Sequence, residues 1–310
     1  MTPKERAILA LTLKQPDEVP TFELEFQLTE EVFGEEYYRG ESWQGKTEKE
    51  KERLAEANAA LYLKTAEKYH YSIIMETSAP TLEDRILTVR KIREAAEDNY
   101  LIICHGDATY AIPSGDKMLE FVYNLSDRGN EMKEKARRMV NDALETGKKL
   151  MDKGIDGFAL CADYCFNSGP FISPAMFREF IAPYLEQLIR GYRNMGAYVI
   201  KHTDGNIMPI IDQLVDCGPH ALHSLDPMAG VDIAEVKRVY GKRVCLIGNV
   251  NCALMQTGTK EDILDSCRYA LESGKPGGGY IFSTSNVAFK GMPLESYKIM
   301  MDYYEENKKY

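Results

Sequence analysis

Residues 157–204 have the sequence GFALCADYCFNSGPFISPAMFREFIAPYLEQLIRGYRNMGAYVIKHTD, and the order of secondary-structure elements that this stretch predicts decides the fold. Two short runs of β-prone residues, 157–164 and 197–204, enclose a segment of helical periodicity, 173–193, that begins at Ser173-Pro174. A strand, a helix and a second strand in this order predict a βαβ unit, whose two strands lie parallel in one sheet.

The same alternation extends over most of the chain. Eight runs are predicted as strands, at 19–26, 71–77, 101–107, 157–164, 197–204, 221–225, 244–250 and 279–285. Helical periods predict helices at 3–13, 48–69, 82–97, 117–153, 173–193, 207–216, 233–240, 260–273 and 294–308. Eight strands favour a closed barrel over an open doubly wound sheet, which usually carries a Gly-rich phosphate turn after its first strand.

The length of 310 residues is compatible with this architecture. At a typical domain size of about 150 residues, this length suggests two domains, whereas a (β/α)8 barrel uses about 250 residues for one core. We therefore predict an α/β fold in which residues 1–310 form a single (β/α)8 TIM barrel with an N-terminal helical extension.

Composition excludes several other classes. The 38 basic and 48 acidic residues give a net charge of −10, which opposes nucleic-acid binding. No run approaches the roughly 18 apolar residues of a membrane span, and the N-terminus lacks the pattern of a signal peptide. The seven cysteines are odd in number and form no CxxC pair, which favours a reducing compartment. We expect a cytoplasmic protein that contacts neither nucleic acid nor membrane.

Polar side chains stand at the end of every predicted strand, where an α/β barrel carries its active site. They include Glu23, Glu25, Glu76, His105, Asp107, Asp163, His202, Asp204, His223, Asp226, Asn249 and Ser283. Each alone could be an ordinary turn residue, and Asp107 and Asp226 could cap helices. Together they predict one polar cup at the barrel mouth.

The turn KHTDGN at 201–206 is the densest of these strand ends. Alternate residues of a strand point to the same side, so His202 and Asp204 are expected to share one face while Thr203 faces the other. This pair could hold a metal ion or position a substrate.

Four segments resemble the uroporphyrinogen decarboxylase superfamily: DYCFNSGPFISPAMFREFIAPY at 163–184, VIKHTDGN at 199–206, LIGNVNC at 246–252 and FKGMPLESYK at 289–298. The resemblance follows the family in order along nearly the whole chain. It implies a (β/α)8 barrel, and it leaves two chemistries open, because the superfamily includes decarboxylases and corrinoid-dependent methyltransferases.

The decarboxylase branch is the disfavoured alternative. Those enzymes carry an Arg-Gln-Ala-Gly-Arg-like motif after the first strand, whose guanidinium groups pair with substrate carboxylates. Residues 20–29 read PTFELEFQLT instead, with Glu23 and Glu25, and no arginine lies between Arg6 and Arg39. The resemblance matches Tyr123, within FVYN at 121–124, to the decarboxylases' active-site tyrosine.

The methyltransferase branch is closer. Its thiol-methylating members bind zinc through a His-x-Cys pair and a later cysteine. This chain keeps His202 but has Asp204 where the first cysteine stands, and it has Ser283, Thr284 and Ser285 around the last strand in place of the second cysteine. The chain looks more like methyltransferases of O-demethylation. The resemblance thus implies transfer of a methyl group from a small methoxylated or methylated donor to the Co(I) corrinoid of a partner protein.

A zinc ion could assist this reaction by polarising an ether oxygen, since zinc accepts histidine and carboxylate ligands. The predicted metal ligands are His202, Asp204 and Cys252, although a buried loop thiol is an alternative for Cys252. The predicted catalytic residues are His202, Asp204, Glu76, Asp163 and Tyr123, with His202 or Glu76 as general acid if no metal binds. Substrate contacts are predicted for Glu23, Glu25, His105, Asp107, Phe166, Asn249 and Ser283.

The chain has no Asp-x-His-x-x-Gly motif for cobalamin, so the corrinoid is expected on a partner protein. The aromatic segment 33–44 is a candidate docking or lid surface, and an ordinary surface insertion is the alternative. A non-catalytic ligand-binding barrel remains a further hypothesis.

Overall fold

A computed structural model describes residues 1–310 and shows a curled parallel sheet of seven strands. In sheet order the strands are β1 (Ile73–Glu76), β2 (Leu101–His105), β3 (Gly157–Leu160), β6 (Tyr198–His202), β7 (Ala221–His223), β8 (Cys245–Ile247) and β9 (Tyr280–Ile281). A separate antiparallel hairpin of β4 (Cys165–Phe166) and β5 (Gly169–Pro170) follows β3. The predicted TIM-barrel-like α/β fold is confirmed.

Residues 19–26, the closing segment, occupy the eighth position without forming a continuous strand. Thr21 bridges Tyr71 on one side and Phe282 on the other. Its carbonyl accepts from the amide of Ser72 at 2.8 Å, and its hydroxyl donates to the carbonyl of Phe282 at 2.7 Å. Pro20 has no amide hydrogen to extend a ladder. The prediction of a strand over 19–26 is therefore wrong in detail, although this segment joins the two edges of the sheet.

Thirteen α-helices surround the sheet. They are α1 (Pro3–Leu11), α2 (Thr29–Phe33), α3 (Glu48–Lys68), α4 (Leu82–Ala96), α5 (Met118–Asp127), α6 (Gly129–Met151), α7 (Pro174–Phe180), α8 (Ala182–Asn194), α9 (Ile211–Asp216), α10 (Ile233–Tyr240), α11 (Cys252–Thr257), α12 (Lys260–Gly274) and α13 (Leu294–Asn307). None of them combines the length and apolar character needed to cross a membrane.

Two predicted helices are each divided in the structure. The predicted helix 173–193 breaks at Ile181, because Pro183 has no amide hydrogen to donate to the carbonyl of Glu179 and its ring would clash with that carbonyl in a continuous helix. The predicted helix 117–153 breaks at Arg128, just before Gly129. The N-terminal helical extension is confirmed as α1, which a capping box at Thr2 begins. That residues 1–310 form a single domain stays a prediction.

The alternation of side chains along each strand separates two apolar layers. On β1, Ile73 and Met75 belong to the cluster inside the barrel, whereas Ile74 packs toward the surrounding helices. On β6, Ile200 is inside and Val199 outside. Residues that continue the inner rows past the strand ends therefore reach the mouth, and those that continue the outer rows reach the helices.

Candidate metal centre at the barrel mouth

Asp163, His202 and Asp204 come together at the mouth. One ligand atom from each lies within 4.8 Å of the others. Asp163 follows β3 and continues the inner row of Ala159, while His202 and Asp204 continue the inner row of Ile200. The structure thus brings together three of the residues selected from the sequence, and the alternation of strand residues explains why.

The carboxylate of Asp204 is only half satisfied. Its Oδ2 accepts a hydrogen bond of 2.6 Å from Asn286 Nδ2, whereas its Oδ1 is buried without a partner at hydrogen-bond distance. The buried hydroxyl of Ser224, also without a partner, lies near this carboxylate and partly offsets the rise in its pKa. Burial, together with repulsion from Asp163 and Asp226, raises the pKa of Asp204 to about 6. An unpaired buried oxygen is costly, so this atom calls for a proton or a cation.

His202 provides a neutral nitrogen beside this oxygen. Its Nε2 lies 3.7 Å from Asp204 Oδ1. Burial, reinforced by the neighbouring His223 and Lys201, lowers the pKa of His202 well below its usual range. A neutral imidazole is a metal ligand rather than a proton donor, so His202 is poorly suited to the predicted role of general acid.

The donor set fits zinc. With zinc–nitrogen and zinc–oxygen bonds of about 2.0–2.2 Å, two ligand atoms of a tetrahedral site lie roughly 3.4 Å apart. The 3.7 Å between His202 Nε2 and Asp204 Oδ1 is close to this spacing. Asp163 Oδ1 accepts from the backbone amide of Asp204 at 2.9 Å, which leaves its second oxygen available.

A glycine turn holds the two loops of the centre together. Gly205 has φ of +82°, and a Cβ there would approach the carbonyl oxygen of Cys165 to 2.6 Å. Only glycine accommodates both conditions without strain. The turn after Asp204 therefore packs directly against the β4–β5 hairpin, which brings Asp163 and Asp204 onto one side of the mouth.

The structure does not bring Glu76 into this centre. Its Oε2 accepts a hydrogen bond of 2.8 Å from Arg85 Nε, and its Oε1 accepts hydrogen bonds from the backbone amides of Ser78 and Ala79. Glu76 continues the outer row of Ile74, so it lies on the helix side of the sheet. It pairs with a residue of α4 rather than with a substrate.

Asp107 also lies outside the centre. It forms an ion pair of 3.0 Å with the fully buried Lys201 and accepts from the amide of Ala162 and the hydroxyl of Thr109. Burial alone would raise the pKa of Asp107, but Lys201 and these hydrogen bonds hold that pKa below its ordinary value. The substrate contact predicted for Asp107 stays a prediction, and the structure shows its carboxylate in an ion pair with Lys201.

Glu23 and Glu25 lie in the closing segment and meet different partners. Glu23 is buried, and Thr284 Oγ1 donates to its Oε2 at 2.5 Å while Ser283 Oγ donates at 3.4 Å. Burial raises the pKa of Glu23 to about 8. Glu25 forms an ion pair of 2.7 Å with Arg39. Ser283 is thus engaged with Glu23 rather than free at the mouth.

Of the remaining predicted residues, His105 lies beside Arg85, Gly106 and Asp107. It is exposed at the end of β2, and its pKa is lowered by partial burial and by Arg85. Asn249 is buried and donates to the carbonyl of Leu225 at 2.7 Å. Cys252 donates weakly to the carbonyl of Val287 at 3.8 Å and does not join the three-residue cluster, in which Asp163 stands beside His202 and Asp204.

The aromatic residues predicted for the site lie on its rim. Tyr123 on α5 is 65% exposed, and Phe166 on β4 is 43% exposed. Phe166 packs edge-on against Phe171, which also contacts Phe121. The structure therefore gives Tyr123 no contact with the cluster and places it on a surface helix.

Three residues near the centre were missed or undervalued from the sequence. Asn286 donates a hydrogen bond to Asp204, and the Nδ1 of His223 lies 2.9 Å from the Nδ1 of His202. Cys161 stands between Ala159 and Asp163 in the inner row that β3 begins. Burial raises the pKa of Cys161 to about 12, so it stays a thiol. Counting alternate residues from Ala159 would have found Cys161, but only the folded chain reveals Asn286.

A TIM-barrel-like fold with a histidine and two carboxylates gathered at its strand ends defines the class of protein: an α/β barrel with a candidate metal centre at its mouth. The uroporphyrinogen decarboxylase (URO-D) family model matches residues 108–307, more than half of the chain. The chain belongs to this family.

Curated relatives from both branches of the family are similar to part of the chain. The methylcobamide:CoM methyltransferase MtaA of Methanosarcina barkeri is 27% identical over 133 residues, and a uroporphyrinogen decarboxylase of Aromatoleum aromaticum is 26% identical over 144 residues. Each match covers 43% of this chain and only 37% of the relative. A solved methyltransferase from Methanosarcina mazei aligns over 99% of both chains with a TM-score of 0.74 at 18% identity, which supports the fold.

Proposed function

We propose that this protein is a methyltransferase that moves a methyl group from a small methoxylated or methylated donor to the Co(I) corrinoid of a partner protein, with zinc held by His202, Asp204 and Asp163. The observation that carries the proposal is the buried, unpaired Asp204 Oδ1, which lies 3.7 Å from the Nε2 of a neutral histidine. The partial similarity to a methylcobamide:CoM methyltransferase supports methyl-transfer chemistry that involves a corrinoid, whereas the proposed direction, toward the corrinoid, rests on the carboxylates that stand in place of thiolate ligands.

Zinc bound there would supply Lewis acidity toward an oxygen of the donor. The protein's own residues prepare the site for it. Asn286 holds Asp204 through Oδ2, the backbone amide of Asp204 holds Asp163 through Oδ1, and the barrel wall excludes water from the inner side. Carboxylates in place of thiolates suit an oxygen-containing donor, because thiolate ligands are the usual means of activating a thiol acceptor.

Asp204 offers a second way to assist departure of an oxygen leaving group. With a pKa of about 6, its carboxyl group holds a proton on about a tenth of the molecules at pH 7 and on about half of them at pH 6. Such a group can act as general acid from Oδ1 when no cation is bound. This assignment replaces Glu76, which is bound to Arg85, and His202, whose pKa is too low.

The corrinoid partner has to reach the mouth from outside. Two exposed surfaces are candidates for that approach: the segment 33–44, tied to the closing segment by the Arg39–Glu25 ion pair, and an aromatic rim of Tyr123 and Phe166. We assign the docking role to these two surfaces together, because both carry exposed aromatic side chains, including Tyr38 in the first.

Decarboxylation of a polycarboxylated tetrapyrrole fits the mouth less well. The guanidinium of Arg39, the arginine nearest in sequence after the closing segment, is already neutralised by Glu25 at 2.7 Å. Two further carboxylates, those of Asp163 and Asp204, lie at the mouth. A site of this sign repels carboxylate substrates.

The test combines metal analysis with a transfer assay. Purified protein is expected to hold about one zinc per chain and to methylate cob(I)alamin, free or on a corrinoid protein, with at least one donor from a panel of methoxyarenes, methylamines and methanol. His202→Ala and Asp204→Ala are expected to lose both properties. Asp232→Asn is the matched control, because Asp232 is exposed, caps α10 and accepts a hydrogen bond from Tyr269 of α12, outside the proposed ligand set.

Two results would contradict the proposal. One is zinc retention by the His202→Ala protein at the level of the unmodified chain. The other is failure of the zinc-loaded protein to methylate cob(I)alamin with every donor of the panel, while it converts uroporphyrinogen or binds ligands without turnover.

A further inference from the structure

His223, at the end of β7, lies directly behind His202 and is not part of the proposed ligand set. Its Nδ1 lies 2.9 Å from the Nδ1 of His202, and its Nε2 lies 3.2 Å from the carbonyl oxygen of Thr284. Both rings are buried, and their planes are inclined by 36°. A chain of contacts therefore runs from a backbone carbonyl through two imidazoles to the candidate centre.

The carbonyl of Thr284 determines where the hydrogens of this chain lie. A carbonyl oxygen only accepts hydrogen bonds, so Nε2 of His223 has to carry a hydrogen. A buried imidazole without a carboxylate partner is neutral and has a single N–H. The Nδ1 of His223 is then an acceptor, and the Nδ1 of His202 has to be the donor between the two rings.

The remaining nitrogen of His202 is fixed by the same argument. With its hydrogen on Nδ1, its Nε2 carries a bare lone pair, and this is the atom that lies 3.7 Å from Asp204 Oδ1. We propose that His223 is a positioning residue that sets the tautomer of His202 and so keeps Nε2 open toward a cation. The inference rests on the proposed function for its purpose, although its evidence is the hydrogen-bond chain alone.

The opposite tautomer would close the site. A hydrogen on His202 Nε2 would point toward the unpaired Oδ1 of Asp204, and a small movement would join the two in a hydrogen bond. That bond would satisfy the orphan oxygen and occupy the nitrogen that a metal needs. His223 thus prevents two candidate ligands from pairing with each other, a role that outer partners of metal-bound histidines commonly fill.

Nuclear magnetic resonance of the metal-free, 15N-labelled full chain tests the tautomer directly. Long-range 1H–15N correlation spectra distinguish a protonated ring nitrogen from a bare one, and His202→Gln identifies the His202 signals among the five histidines. We expect His202 to show a protonated Nδ1 and a bare Nε2. In His223→Leu the hydrogen is expected to move to Nε2, whereas His223→Asn, whose amide carbonyl can accept from Nδ1, retains the original form.

His220→Leu is the matched control, since this histidine stands just before β7 and accepts from the amide of Val199, away from the centre. The control should leave the His202 signals and zinc affinity unchanged. Zinc affinity, measured by competition with a chelator, is expected to fall about 10–100-fold in His223→Leu and less in His223→Asn.

A protonated Nε2 on His202 in the unmodified chain would overturn the inference, as would an unchanged tautomer in His223→Leu. If His223→Leu does not fold, the spectra of the unmodified chain and of His223→Asn still decide it. Neither readout needs methyl transfer. A chain with the expected tautomer and no transferase activity would reject the proposed function and leave the tautomer assignment standing.

Discussion

Two strand ends of this protein have nearly the same sequence and opposite surroundings: His105-Gly-Asp107 after β2 and His202-Thr-Asp204 after β6. Asp107 is saturated by Lys201, Thr109 and the amide of Ala162, whereas Asp204 keeps one buried oxygen without a partner. The first His is exposed and the second is buried. A His-x-Asp motif at a barrel strand end therefore does not define a site; the unsatisfied oxygen does.

The middle residue of each motif explains the difference. Gly106 packs so closely on Phe158 that a Cβ there would lie 2.7 Å from its ring, and the chain turns Asp107 outward to Lys201. Thr203 keeps the strand direction, with its amide donating to the carbonyl of His223 and its hydroxyl accepting from the amide of Tyr164. Asp204 consequently continues the inner row, and the pKa values of the two aspartates move in opposite directions.

The largest expected effect is a loss of stability when Asp107, the aspartate whose oxygens are all hydrogen-bonded or paired, loses its cation. Lys201→Met leaves Asp107 as a buried carboxylate without its cation, and removal of one partner from a buried pair costs about 3–5 kcal/mol. Urea unfolding followed by circular dichroism measures the loss. Arg243→Met is the control, because its pair with Asp216 is exposed and should contribute less than about 1 kcal/mol. A similar small cost for both variants would show that Asp107 does not depend on Lys201.

Glu23 sharpens the comparison, since it is hydrogen-bonded like Asp107 but has a raised pKa like Asp204. A folded-state pKa of about 8 against an ordinary value of 4.5 means that the folded chain binds the extra proton between these pH values. Stability due to Glu23 is therefore complete below pH 4.5 and decreases as the pH rises toward 8.

Glu23→Gln, which mimics the protonated form, should match the unmodified chain near pH 5. It should then become relatively more stable by up to about 1.4 kcal/mol per pH unit as the pH rises toward 8. Urea unfolding of both proteins at several pH values measures the difference, and Glu31→Gln, at an exposed position of α2, controls for the loss of one carboxylate charge. A difference independent of pH would mean that Glu23 is ionised throughout.

The sequence was sufficient for the barrel and for the key pair of the centre. Apolar alternation predicted all seven ladder strands, and the i, i+2 spacing of His202 and Asp204 placed both on the inner row. The same rule fails at Asp107, where Gly106 turns the chain. At Glu76 the rule holds and explains why this residue lies outside the centre, since Glu76 shares the outer row of Ile74. Asn286 and Cys252 lie in loops, where no periodicity relates residue number to direction.

Asp204→Asn tests the other aspartate of the comparison, the one with an oxygen that has no hydrogen-bond partner. In metal-free protein the free energy of unfolding should change by less than about 1 kcal/mol, or increase, because the substitution removes an unpaired buried charge. Zinc affinity should nevertheless fall by more than about tenfold, since a ligand oxygen loses its charge. Asp107→Asn should show the reverse, with a loss of about 1.5–3 kcal/mol and unchanged zinc affinity. Equal behaviour of the two variants would remove the distinction between these aspartates.

The smallest expected effect concerns Tyr123, which the family resemblance matched to a catalytic tyrosine and the structure places 65% exposed on α5. Tyr123→Ala should change stability by no more than about 0.5 kcal/mol and leave zinc affinity unchanged. Methylation of free cob(I)alamin should also be unaffected, whereas methylation of a corrinoid protein should slow if the aromatic rim docks it. Loss of activity toward free cob(I)alamin would instead mean that α5 folds over the mouth during turnover and brings Tyr123 to the donor, so that the unsatisfied oxygen of Asp204 would no longer be sufficient to define the site.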